Sequence, residues 1–119
     1  REDIADLAKG MIREAYRGGL YARQLGRVLR HFGRDQLLVL QYERCRADPA
    51  AELARTYAFL GLGAFAPADP ARPVHATKVE KIDLPQGLRR RLVEHYRADS
   101  EELAELSRRV DLSLWGSLG

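Results

Sequence analysis

The sequence predicts an α/β chain, mostly helical, that contributes one parallel strand to a sheet whose other strands it does not contain. Three observations lead there. Apolar residues recur at spacings of three and four over several stretches, the mark of helices that bury one face. The run Gln36 to Tyr42 instead holds four consecutive aliphatic residues, the texture of a strand covered on both faces. No other stretch reads as a strand, although a lone strand cannot satisfy its own backbone N–H and C=O groups.

The elements follow in order. Ile4, Leu7, Ala8, Met11, Ile12 and Ala15 share one face, which predicts an amphipathic helix over about 2 to 17. Gly18-Gly19 interrupts it, and a second helix is expected from Leu20, with Leu20, Tyr21, Leu25, Val28, Leu29 and Phe32 as its stripe. Gly33 is placed to end that helix in the left-handed conformation. The aliphatic strand comes next and ends at Tyr42-Glu43. Asp48-Pro49 opens a helix, the carboxylate accepting from free N–H groups and the proline filling the first turn. Leu53, Tyr57 and Leu60 mark its buried stripe and Gly61 its stop.

From Leu62 to about Leu84, Pro67, Pro70 and Pro73 leave no room for a regular element, and an irregular stretch of that length is more often functional than not. Helix resumes at Pro85, with Leu88, Leu92 and Tyr96 in line. Asp99 and Glu102 resemble a capping box that starts a last helix bearing Leu103, Leu106 and Val110. Trp115 is expected to pack the tail onto the body.

Composition narrows the class. The 119 residues are 45% hydrophobic and 31% charged, enough for one ordinary domain or a piece of a larger one and too apolar for a disordered chain. No apolar run approaches the ~20 residues of a membrane-spanning helix. The single Cys45 excludes an internal disulfide framework and a cysteine-rich zinc site, and leaves the cytoplasm as the expected compartment. No leader-like pattern follows Arg1, and the chain reads as a cut segment. Only Lys9, Lys78 and Lys81 among the 20 basic residues are lysine, an arginine bias that fits a GC-rich genome.

Three ordered segments carry a family resemblance: Gly19-Leu-Tyr-Ala-Arg-Gln-Leu25, then Leu37-Leu-Val-Leu-Gln-Tyr-Glu43 leading to Ala47-Asp-Pro49, then Phe59-Leu-Gly-Leu62. The tail adds Leu92, Tyr96, Asp99, Leu103 and Leu112-Ser-Leu-Trp115. The whole resembles the C-terminal part of a sulfotransferase of the bacterial and heparan type, which uses 3′-phosphoadenosine 5′-phosphosulfate (PAPS). The resemblance implies the C-terminal portion of a P-loop-like three-layer α/β fold, with residues 1–119 forming part of a single domain. The implied reaction is transfer of a sulfuryl group from PAPS to a hydroxyl or amine of a small-molecule, glycan or lipid acceptor. The sequence departs from the family pattern at Arg44, where the family has aspartate, at Cys45, where it has leucine, and at Val28, where an aromatic is common. The family's K-x-G-x-x-[ST] phosphosulfate loop, its Arg and Ser pair for the 3′-phosphate and its catalytic acid/base do not occur in these residues, so no catalytic residue is assigned within them.

What the resemblance leaves for this segment is the loop that closes over the nucleotide. His75, Thr77, Lys78 and Lys81 fall on that loop and become the candidate cofactor-binding residues, lysine serving as a point-charge phosphate ligand. Read without the family, the same loop is a solvated, irregular segment. Tyr21 and Gln24 lie on the helix that faces the acceptor, where some members carry His instead of Gln24. Glutamine cannot take up a proton, so its expected role is orientation by hydrogen bonding. Tyr21 also reads as a core residue with its hydroxyl at the edge, and the Tyr42-Glu43 pair as mainly structural.

Other chemistries find little support. His31, His75 and His95 lack the i, i+4 spacing of a helical metal site, so no metal is expected. Arg89, Arg90 and Arg91 spread around a helix axis as a solvated face does, and a net charge of +3 is small for a nucleic-acid binder. The competing functional class is a non-catalytic helical module whose two N-terminal helices dock onto a partner. Oligomeric state is left open.

Overall fold

The computed structural model describes residues 4–72, 80 and 83–116, with the side chains of 4–8 and 11 not described. Among the described residues five helices carry the fold: α1 (Ile4–Gly18), α2 (Tyr21–Val28), α3 (Tyr42–Ala47), α4 (Pro49–Phe59) and α5 (Gln86–Leu106). Two short 3-10 turns, Arg34–Gln36 and Leu112–Trp115, complete it.

Helix α2 packs on α5. Ala22 on α2 and Ser100 and Leu103 on α5 are buried, and the small side chain of fully buried Ala22 suits a close approach of the two helices. At the other end of the chain, Trp115 packs as expected: its ring lies 6.4 Å from that of Tyr21 and its Nε1 donates to Glu43 Oε2 at 3.1 Å.

Both ends of α4 follow local chemistry. Asp48 Oδ1 accepts the N–H of Ala51 at 3.0 Å, with Pro49 in the first turn. At the exit, Gly61 adopts φ +68°. Its N–H bonds Ala58 O at 3.1 Å and the N–H of Leu62 bonds Tyr57 O at 2.9 Å, a Schellman closure that needs a left-handed residue. The irregular stretch after Gly61 holds over the described residues 62–72, where Phe65 folds back to meet Tyr57 edge-on at 6.2 Å.

Five expectations need correction. No strand forms among the described residues. The run is extended at both ends, with φ/ψ of −122°/128° at Leu37 and −100°/125° at Gln41, and holds no regular element between them, but Gln36 belongs to the preceding 3-10 turn and Tyr42 to α3. Among the described residues no main-chain-to-main-chain hydrogen bond engages Leu38, Val39 or Leu40, and the Val39 carbonyl accepts instead from the Arg55 side chain. The physical reason is the one foreseen: an aliphatic run can choose the extended conformation by itself, but a ladder requires a second strand.

The second helix closes a turn early, at Leu29, through i→i−3 bonds from Arg30 and His31. Gly33 is not left-handed; at φ −68°, ψ 158° it opens the next 3-10 turn, its N–H bonded to Gln36 Oε1 at 2.9 Å. Asp99 starts no new helix, because nothing between Tyr96 and Glu102 breaks α5 and its carboxylate bonds elsewhere. Finally, Leu60 is 59% exposed, while Leu53 and Tyr57 are half-buried, so the apolar face of α4 runs past anything that covers it among the described residues.

Candidate functional site

The two residues expected on the acceptor side stand at the start of α2. Tyr21 is 54% exposed on this segment, and its ring leans on Trp115. Gln24, also exposed, donates from Nε2 to Gly18 O at 2.8 Å. That bond closes the corner between α1 and α2 and leaves the amide oxygen and one N–H for a ligand. Gln24 lines a cavity of about 420 Å³ with Glu14, Arg17, Gly18, Leu20, Arg23 and Arg27. Three guanidiniums against one carboxylate make this hollow electropositive, and Glu14 is already paired with Arg17 at 3.4 Å. Nothing lining it can serve as a general base at neutral pH except Glu14. What the arrangement can do chemically is bind and orient.

The floor beneath Tyr21 is a set of linked polar contacts that tie the C-terminal turn to α3. Gln41, buried at the head of α3, donates from Nε2 to Asp111 O and accepts the Asp111 N–H on Oε1, both at 2.9 Å. Asp111 then accepts from Ser113 N at 3.0 Å and Ser113 Oγ at 2.6 Å, and meets Arg44 Nη2 at 3.6 Å. The Ser113 hydroxyl, the Ser113 N–H and, last, the Arg44 guanidinium hold the Asp111 carboxyl below its ordinary range. Arg44, where the family pattern has aspartate, thus gains a carboxylate partner. Glu43 has the structural role expected of it, as acceptor for the Trp115 indole.

A second hollow, about 510 Å³, runs along the extended run and is lined by Leu25, Leu29, Leu37, Leu38, Val39 and Phe59 among others. Arg55 crosses it, donating from Nη2 to Val39 O at 3.0 Å while held by Glu52 Oε2 at 2.6 Å.

His75, Thr77, Lys78 and Lys81 lie outside the described residues. His31 is exposed in the turn after α2, and His95 stacks on Tyr16 with ring centroids 3.9 Å apart. Arg89, Arg90 and Arg91 are all exposed on α5. Among the described residues no three His, Cys, Asp or Glu side chains gather as a metal site, and no helix is long and apolar enough to cross a membrane. Sequence reasoning missed Arg17, Arg23 and Arg27 around Gln24, although the i, i+4 spacing of Arg23 and Arg27 carried the signal.

A family model described as "Sulfotransferase domain" matches residues 1–82. The mouse proteins heparan sulfate glucosamine 3-O-sulfotransferase 3B1 and 3A1 are each 52% identical over 44 residues, 37% of this chain and 11% of theirs. Human heparan sulfate glucosamine 3-O-sulfotransferase 3B1 is 50% identical over 44 residues, with the same shares. The chain therefore spans about a tenth of the length of the curated relatives it matches. No solved structure matches it.

Proposed function

This chain belongs to the sulfotransferase domain family, and on that premise we propose that it is the C-terminal, nucleotide-clamping and acceptor-side part of an enzyme that moves a sulfuryl group from PAPS to a hydroxyl or amine. The donor loop and the catalytic base belong to the upstream part of the same domain. In-line transfer of this kind draws most of its rate from positioning and charge stabilisation, and this segment supplies positioning.

The observation that carries the reading is the run Leu37 to Leu40. It is aliphatic, extended where it begins at Leu37, and without a main-chain-to-main-chain bond at Leu38, Val39 or Leu40 among the described residues, with only the Arg55 guanidinium reaching Val39 O; a hollow lined by its leucines and by arginines opens beside it. Such a segment is stable as an interior strand of a parallel sheet supplied by the rest of the domain. Surface area argues the same way. The chain exposes 10240 Å², against about 6,500 Å² for a compact monomer of its mass, and only Ala22 and Leu103 are buried among its described hydrophobic residues.

In this reading Lys78, with Lys81, His75 and Thr77 beside it, contacts the 3′-phosphate, while Tyr21 and Gln24 shape the acceptor side. The heparan sulfate named for the relatives makes a glycan the first acceptor to try. Calorimetry on the complete protein with adenosine 3′,5′-bisphosphate tests the reading. Binding is expected, and Lys78→Met should weaken it by about 1.5–3 kcal/mol, the size of a hydrogen bond to a charged group. Absence of nucleotide binding would overturn the assignment; unchanged affinity in K78M would remove Lys78 from the site.

A further inference from the structure

Helix α2 begins without a cap of its own. Leu20 stands at the cap position with no side-chain bond, and the first turn holds no acidic residue. Its orphan N–H groups are met from another helix: Asp99 Oδ2 accepts the N–H of Ala22 at 2.9 Å and Oδ1 that of Arg23 at 3.1 Å. An anionic acceptor at a helix N-terminus also opposes the positive end of the helix dipole. One turn earlier on α5, the hydroxyl of Tyr96 donates to Tyr16 O at 2.8 Å, inside the last turn of α1, where carbonyls lack intrahelical partners. Tyr96 and Asp99 are three residues apart and so lie on one face of α5. That face therefore holds both helix ends at the α1–α2 corner, one with a donor and the other with an acceptor.

The corner is fitted to this face. A Cβ on Gly19 would lie 2.6 Å from the Tyr96 ring, so any side chain there must displace that ring. Ala22, the first of the two residues whose amides Asp99 accepts, is fully buried. Tyr21 and Gln24 flank this fixed point.

We infer that Tyr96 and Asp99 are positioning residues: they clamp the α1–α2 corner and thereby aim Tyr21 and Gln24 at the acceptor. The aiming rests on the sulfotransferase reading above; the clamp does not. Without the Asp99 carboxylate the first turn of α2 frays, and the two acceptor-side residues lose a common orientation.

The test uses the complete protein with Asp99→Ala, Asp99→Asn and Tyr96→Phe. Hydrogen exchange at the Ala22 and Arg23 amides should quicken about tenfold in D99A, the scale of a lost helix cap, and less in D99N, which keeps one acceptor oxygen. With heparan sulfate as the acceptor probe, kcat/KM should fall about tenfold in D99A and recover in part in D99N, while affinity for adenosine 3′,5′-bisphosphate stays unchanged. Tyr21→Phe should cost less in the D99A background than in the wild type, because a misaimed side chain has less to lose.

Unchanged amide exchange in D99A, an equal loss of nucleotide affinity, or simple additivity of Y21F and D99A would overturn the inference. If the wild type transfers nothing to heparan sulfate, the acceptor reading fails separately, and the ring-proton shifts of Tyr21 beside Trp115 still decide the clamp. Shifts that stay in place in D99A would refute it; displaced shifts would support it.

Discussion

The side-chain amide of Gln41 pairs edge to edge with the main chain of Asp111, giving a hydrogen to its carbonyl and taking one from its N–H at the same 2.9 Å. A primary amide offers the same donor and acceptor as a peptide unit, so Gln41 acts as one residue's worth of ladder between the extended run and the C-terminal turn.

Removing that pair should be costly, because both Asp111 groups lose their partners beside a residue only 5% exposed. Gln41→Ala is expected to destabilise the protein by about 1–3 kcal/mol in urea unfolding. Gln41→Glu, which cannot donate to the carbonyl when ionised, should recover none of it.

Asp111 should titrate below an ordinary aspartate, chiefly because of its two bonds from Ser113. A carboxyl lowered in the folded state lends stability above its unfolded value, near pH 4, and loses it as pH falls through the folded value. Ser113→Ala should bring the carboxyl back up toward the usual range. Carbon NMR of the Asp111 side chain across pH 2 to 6 checks the direction.

Tyr96 behaves in the opposite sense. Burial, then the neighbouring phenols of Tyr16 and Tyr21, raise its hydroxyl above the ordinary value of 10.0. Stability from the neutral phenol is complete below the unfolded value and is lost as pH rises through the folded one, where a phenolate can no longer donate to Tyr16 O. The melting temperature of the wild type should therefore fall more steeply above pH 10 than that of Tyr96→Phe.

The two ends of α4 give a matched pair of expectations. Asp48→Ala removes the acceptor for Ala51 N–H and should cost about 1 kcal/mol. Gly61→Ala places a Cβ at φ +68° and should cost roughly 1–2 kcal/mol, although open space surrounds the site. Chemical denaturation of each variant, with an unchanged denaturant slope, checks both.

These α4 ends were legible in the sequence because every atom involved lies within a few residues: Asp48 with Ala51, Gly61 with Tyr57 and Ala58. The extended backbone of Leu37 to Leu40 was legible for the same reason, while its pairing was not, since a ladder is decided by its other strand. Asp99 misled because its local pattern fits a cap, whereas the N–H groups it bonds belong to residues 76 and 77 positions away. Gln41 gave no signal at all, for a glutamine beside a tyrosine says nothing of a backbone 70 residues on. Of the candidate site, Tyr21 and Gln24 were named from the resemblance, and the arginines around Gln24 came from the folded chain.

The bare extended run also carries a practical warning for anyone handling residues 1–119 in isolation. With no ladder partner for Leu38, Val39 or Leu40, such a piece should template onto its own copies and form sedimenting, cross-β assemblies. Supplying the neighbouring strand on the same polypeptide is the remedy chemistry suggests.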